Sequence, residues 1–146
     1  MQPLQFLVPL DQLAAVEPVI PFAILALVLA NFATRFLAHR SHVKQAEDGA
    51  DELSRYLPHS ITSGGLVLVS FVFLLFEPHG GMVMSVLVVG MFLTDFFEFE
   101  SRNVEARNDR PLERPNGALT AAVFVLLYAA YQSLFFLIEG AWNVVV

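Results

Sequence analysis

The residues of this sequence best placed to do chemistry are the ionisable ones inside otherwise apolar stretches. Each such charge costs about 2.5–3.5 kcal/mol at the centre of a membrane helix, so it needs a partner or a use. Arg35, His59, Asp95 and Glu98 are of this kind. Counted from the far end of its own apolar stretch at 1.5 Å per residue, Asp95 lies about 21 Å in from Gly81, Arg35 about 24 Å from Val19 and His59 about 25 Å from Phe76. That common depth predicts an Arg35–Asp95 pair, with His59 beside it, where three helices meet near one face of a bilayer. Pairing would offset the desolvation of both charges. A carboxylate left unpaired there would instead suit a proton or cation site in a transporter.

Asp95, Glu98, Arg102 and Glu105 follow one another at spacings of three, four and three, which places them on one helical face. Glu98 and Arg102 are thereby set for an i, i+4 ion pair. Carboxylates at a helix C-terminus would oppose the macrodipole, so this helix is expected to continue to about Ala106. A metal reading rests on His39 and His42, three apart, with His59 at neighbouring depth, since imidazole and carboxylate suit Zn, Mn or Fe. It lacks the repeated Glu-x-x-His pattern of di-metal bundles. A bis-His haem held by His39 and His59 is the related redox alternative. Phe124, Tyr128, Tyr131, Gln132 and Phe135 share another face, suited to a quinone or lipid headgroup or to hydrogen bonds across a helix seam.

The elements that must position these groups are membrane spans. The chain has 146 residues, 56% of them hydrophobic and 15% charged, with a mean hydropathy of +0.62; soluble domains carry roughly 25% charged residues. A hydrocarbon core of about 30 Å takes about 20 helical residues. Four stretches qualify, approximately 18–38, 58–76, 80–99 and 115–138. They are apolar all round, unlike the one-sided helices of a soluble bundle. Pro18 and Pro58 fit helix starts, and FEPHGG, with His79, breaks the chain between the second and third spans. The predicted fold is all-α: a single polytopic domain of four transmembrane helices. Ala26 with Ala30, and Ala118 with Ala122, mark faces where helices can approach closely, and Gly64-Gly65 reads as close packing or a kink. Leu10, Leu13, Ala14 and Val16, bracketed by Pro9 and Pro18, suit a short anchoring helix in the outer interface.

Orientation follows from the basic residues. All eight belong to two segments: Arg35, Arg40, Lys44 and Arg55 lie around the loop at approximately 39–57, and Arg102, Arg107, Arg110 and Arg114 around that at 100–114. Both loops are expected in the cytoplasm and both termini outside, in the cell membrane. Tyr56 and Trp142 suit the two interfacial aromatic belts. The N-terminus has no basic residue before its apolar stretch, so it does not read as a cleaved signal and is expected to be retained. The acidic run QAEDGADELSR is a solvated turn or short helix.

Composition excludes much. There is no cysteine, which removes disulfides, Cys-ligated metals and thiol nucleophiles. The net charge is −6, and no basic patch exists to neutralise nucleic-acid phosphates. No nucleophile triad or phosphate-binding glycine loop is present. The segments AHRSHVKQAEDG, LTDFFEFESRNVEARNDRPLERP and LLYAAYQSLFF resemble a family of uncharacterised integral membrane proteins from halophilic archaea. That resemblance implies a four-span protein of the cell membrane, with no activity, cofactor or binding residue to carry over. Scarce Lys beside abundant Asp and Glu agrees with a high-salt origin. The expected role is a non-enzymatic structural or accessory subunit, without a cofactor. Its partners would be the lipid bilayer and another membrane protein or a second copy. A small oligomeric ion- or proton-coupled transporter or channel using Asp95 is the alternative, and a metal- or haem-binding redox protein a further one.

Overall fold

The computed structural model describes residues 10–145, and every element among them is helical. Helix α1 (Leu10–Val16) runs through a 3-10 turn (Glu17–Val19) into α2 (Ile20–Glu47). Helices α3 (Leu57–Phe76), α4 (Pro78–Arg107) and α5 (Asn116–Leu134) follow, then a 3-10 turn (Phe135–Leu137) and α6 (Glu139–Val145). Four helical stretches, ending in or formed by α2, α3, α4 and α5, are long and apolar enough to cross a membrane. The protein is therefore all-α, with four candidate membrane spans.

Proline placement explains the starts. Pro21, Pro58 and Pro78 each occupy the first turn of α2, α3 and α4, where the missing N–H would have had no partner. Pro18 lies one step earlier, within the 3-10 turn. The N-terminal turns continue into α2 with no break, so α1 is the head of a longer helical stretch; Pro9 lies outside the described residues. FEPHGG forms a tighter joint than its composition predicts. Only Glu77 separates α3 from α4, and His79 belongs to the first turn of α4. Gly81 permits this, because a Cβ there would overlap the Leu74 backbone.

Helices α2 to α5 form a four-membered bundle in which α2 and α4 each pack against both α3 and α5. Its core is one cluster: Ile20, Ile24 and Val28 from α2, Leu66 and Phe73 from α3, Met84, Val88 and Met91 from α4, and Ala122, Val125 and Ala129 from α5. Ala118 and Ala122 do lie on the buried face of α5. Ala26 and Ala30 do not lie on the buried face of α2, whose stripe is Ile20, Ile24, Val28, Asn31 and Arg35. Gly64 and Gly65 mark no close approach or break either. Nothing lies within 4 Å of a Cβ on Gly64, one on Gly65 meets only Leu27 at 3.8 Å, and α3 is continuous through both.

Length divides the helices into two kinds. With 20 and 19 residues, α3 and α5 match a bilayer. With 28 and 30 residues, α2 and α4 are longer, about 42 and 45 Å against a hydrocarbon core of about 30 Å. Both C-terminal extensions lie at the basic end of the bundle, where they enclose a small second core of Leu53, Phe99 and Ala106. The first loop is tied onto them. Leu53 N donates to Asn103 Oδ1 at 2.7 Å, Ser54 N to Gln45 Oε1 at 2.9 Å, and His42 Nε2 to Ser54 O at 3.0 Å. The chain leaves α2 through Gly49, whose φ of 88° favours glycine.

Candidate functional site

A polar network crosses the bundle where α2, α3 and α4 meet. Arg35, only 2% exposed, reaches from α2 to α4 and donates from Nη2 to Asp95 Oδ2 at 2.8 Å. The same nitrogen donates to Asn31 Oδ1 one turn back, also at 2.8 Å. Asn31 uses its amide to donate to Thr62 Oγ1 and Ser63 Oγ on α3, both at 3.0 Å. His59, from the first turn of α3, places Nε2 3.4 Å from Asp95 Oδ2 and Nδ1 2.9 Å from Thr34 Oγ1. A carboxylate facing Nε2 favours the tautomer protonated there, leaving Nδ1 as an acceptor that shares the single Thr34 hydroxyl proton with the Asn31 carbonyl, 3.1 Å from Thr34 Oγ1. Asn31, Thr34 and Arg35 from α2 thus meet His59, Thr62 and Ser63 from α3 and Asp95 from α4. The arrangement satisfies part of the polar groups in a region where unsatisfied ones are costly; Arg35 Nε and Nη1 and His59 Nε2 stay buried without a hydrogen-bond partner.

Glu98 does not join this network. Its Oε1 accepts from Ala118 N at 3.1 Å, so it caps the first turn of α5. Gly117 makes room for it, since a Cβ there would lie 2.7 Å from that oxygen. A carboxylate at a helix N-terminus is favoured both by the free N–H groups and by the macrodipole. The expected Glu98–Arg102 pair is not formed, although Glu98 Oε2 is buried without a partner: among the described residues no ion pair or hydrogen bond engages Arg102.

The three histidines of the metal reading, His39, His42 and His59, make separate contacts. His42 stacks against Phe99, with ring centroids 5.3 Å apart, and binds the Ser54 carbonyl. About 33 Å of helix separates it from Ile20, so it lies past the spanning part of α2. Burial, and then the neighbouring Arg102, push its pKa down to about 4. His39 Nδ1 is buried with no partner. Among the described residues no three His, Asp or Glu side chains are grouped to hold a metal ion. On α5 the polar bond is intrahelical, Gln132 Nε2 donating to Tyr128 Oη at 2.9 Å, whereas Tyr131 and Phe124 face outward. Gln132 packs against Gly80 of α4, where a Cβ would lie 3.0 Å from its Nε2, but among the described residues no hydrogen bond of this face crosses the seam.

Beside the network a cavity of about 360 Å³ opens among α2, the first loop, α3 and α4. Its α4 wall runs from Phe92, the deepest, through Asp95, Phe96 and Phe99 to Arg102, and His59, Tyr56, Arg55 and His42 complete the lining. Arg102 is 8% exposed, and its Nε is buried without a partner. Arg55 is half-exposed and lies over Phe99, 4.3 Å from the ring centroid, and over Phe96 at 5.3 Å; its nearest carboxylate is Glu100 at 3.8 Å. Counting charges in single spans overlooks this cavity and the hydroxyl and amide partners. Their signal is spacing: Phe92, Asp95, Phe96, Phe99 and Arg102 recur at three and four residues along α4.

Fold and site together define a four-helix, polytopic type of membrane protein with an ion pair bridging its core near the basic end. The chain belongs to the family of the domain of unknown function DUF7313, whose model matches residues 2–146. No curated protein and no solved structure matches it.

Proposed function

We propose that this protein is a non-enzymatic structural or accessory subunit of the cell membrane of a halophilic archaeon. Its intramembrane charges fasten its helices and do not carry ions. One observation supports this above others: the Arg35 nitrogen that reaches Asp95 also binds Asn31, which in turn holds Thr62 and Ser63. A translocated proton or cation at Asp95 would have to displace a guanidinium hydrogen-bonded from two sides. Both basic loops face the cytoplasm and both termini the exterior, a reading supported by the distribution of Lys and Arg. The surrounding apolar surface faces lipid and the helices of another membrane protein or a second copy.

Reconstitution in liposomes tests the reading. Protein-containing vesicles are expected to pass protons and monovalent cations no faster than empty ones, and Asp95→Asn to lower the thermal stability of the folded protein. The competing transporter reading is favoured by a separate observation, that Asp95 and His59 line an open cavity. A flux that disappears in Asp95→Asn would establish it and overturn the structural one.

A further inference from the structure

The cavity at the basic end is unlike the rest of the bundle, because it combines a buried, unpartnered cation with an aromatic wall that opens onto the apolar surface. We infer that it binds the phosphate-bearing headgroup of an anionic amphiphile, held by Arg102 and Arg55, with the ligand's chain lying along Phe96 and Phe92.

The charges point to an anion. Asp95, the acidic residue of the lining, is already matched by Arg35 at 2.8 Å. Glu98, one turn before Arg102, commits Oε1 to the α5 N-terminus, and although Glu98, Asp95 and Glu105 lend Arg102 favourable charge, none forms an ion pair with it among the described residues. Glu100 approaches Arg55 only at 3.8 Å across an exposed surface, where such a pair contributes little. Two guanidinium groups therefore border the cavity without a strong carboxylate partner. A buried guanidinium with free N–H groups is costly unless something accepts from it, and phosphate oxygens match its fork of donors. Tyr56 adds a hydroxyl at the same end.

The depth profile points to an amphiphile. Arg102 lies 24 residues along α4 from Pro78, about 36 Å, which is past a hydrocarbon core of about 30 Å and at headgroup level. Phe92 and Phe96 line the cavity yet remain partly exposed, so the cavity is continuous with the lipid-facing surface of α4. They lie deeper than Arg102 by six to ten residues, about 9–15 Å. Anion at the interface and chain toward the bilayer centre is the orientation of a membrane lipid. A free phosphate would satisfy the arginines but leave the aromatic wall uncovered.

The test uses the full chain, folded in mild detergent and titrated separately with short-chain phosphatidylglycerol, short-chain phosphatidylcholine and inorganic phosphate. Affinity is followed by microscale thermophoresis and stoichiometry by native mass spectrometry. Phosphatidylglycerol is expected to bind one to one, about tenfold or more tighter than either competitor. Arg55→Gln should weaken it about tenfold, the usual loss for a hydrogen bond to a charged group. Arg102→Gln should weaken it further, and the exposed Arg107→Gln should leave it unchanged. If Arg102→Gln does not fold, Arg55→Gln decides alone. Equal affinity for the two lipids, or wild-type binding by Arg55→Gln, overturns the site. Inorganic phosphate binding as tightly as phosphatidylglycerol overturns the amphiphile as its occupant. None of these readouts depends on whether Asp95 is structural, so failure here and failure of the structural role are distinguishable.

Discussion

Asp95→Asn removes the negative member of the ion pair near the basic end of the bundle while keeping the side chain's shape. Among the described residues Arg35, 2% exposed, has no partner at Nε or Nη1 and makes one ion pair, to Asp95 at 2.8 Å. With charge centres roughly 4 Å apart, the attraction is about 4 kcal/mol at an effective dielectric of about 20. Removing one member of a buried pair costs about 3–5 kcal/mol, because the other is left without compensation. The amide oxygen that replaces the carboxylate would still accept from Arg35, so the low end, about 3 kcal/mol, is expected. At about 2–4 °C per kcal/mol for a chain near 150 residues, that is a fall of about 6–12 °C in Tm.

The assay is a double-mutant cycle of Asp95→Asn, Arg35→Gln and the two combined, measured by unfolding in one detergent. Each single variant should lose stability, and the double variant should lose less than the sum by about 2 kcal/mol or more, since contacting residues are coupled. Two results would refute the reasoning. One is strict additivity, which would mean that the two groups do not hold each other. The other is an unchanged Tm for Asp95→Asn beside a sharply lowered one for Arg35→Gln, which would mean that Arg35 acts through Asn31 alone.

Three further perturbations separate packing from polarity. Gly81→Ala should lower stability by about 1–3 kcal/mol, as overpacking does, because the added methyl overlaps the Leu74 backbone; Gly64→Ala, with nothing within 4 Å, should be neutral or raise stability by about 0.5–1 kcal/mol. Equal effects in thermal melts would contradict this reading of the two glycines. Asn103→Ala strands the buried Leu53 N–H and should cost about 1–3 kcal/mol, with faster hydrogen exchange at Leu53 and Ser54; exchange as slow as in the wild type would show that the loop is held otherwise. His42 should stay neutral down to about pH 4 in an NMR titration. A base whose folded pKa is depressed costs stability as pH falls below its unfolded value near 6.5 toward 4, so His42→Gln should flatten the acid side of the stability curve. An imidazole titrating near 6.5 would refute its burial beside Arg102.

What the sequence made legible follows from the bilayer. A span's length and the depth of a charge are both linear counts along one helix, so four spans and a shared level for Arg35, His59 and Asp95 can be read without knowing how the helices face. Facing is another matter. In a soluble bundle the polar side of each helix reveals the buried side, but lipid makes both sides apolar. Ala26 and Ala30 therefore look as suitable for an interface as Ala118 and Ala122, although only the second pair is buried. The same ambiguity hides Asn31, Thr34, Thr62 and Ser63, whose small polar groups do little to lower the hydropathy of a span, yet Asn31 binds Arg35 and the other three brace Asn31 and His59.

At the basic end, linear counting fails for a different reason. Spacing alone sets Glu98 opposite Arg102, but the free N–H groups at the start of α5 compete for the same carboxylate, and they come from a segment about 20 residues away. A pairwise helix rule worth about 0.2–0.5 kcal/mol yields to a helix-capping bond worth about 1 kcal/mol. With Oε1 of that carboxylate held at the α5 N-terminus, Arg102 lines the cavity without an ion pair to it. Freeing Glu98 again, by Gly117→Ala, would push the carboxylate off Ala118 N and back toward Arg102. The capping and the anion site are thus two outcomes of one competition: Gly117→Ala should weaken phosphatidylglycerol binding although residue 117 does not line the cavity. Unchanged binding in a folded Gly117→Ala protein would show that Glu98 does not govern the charge at Arg102.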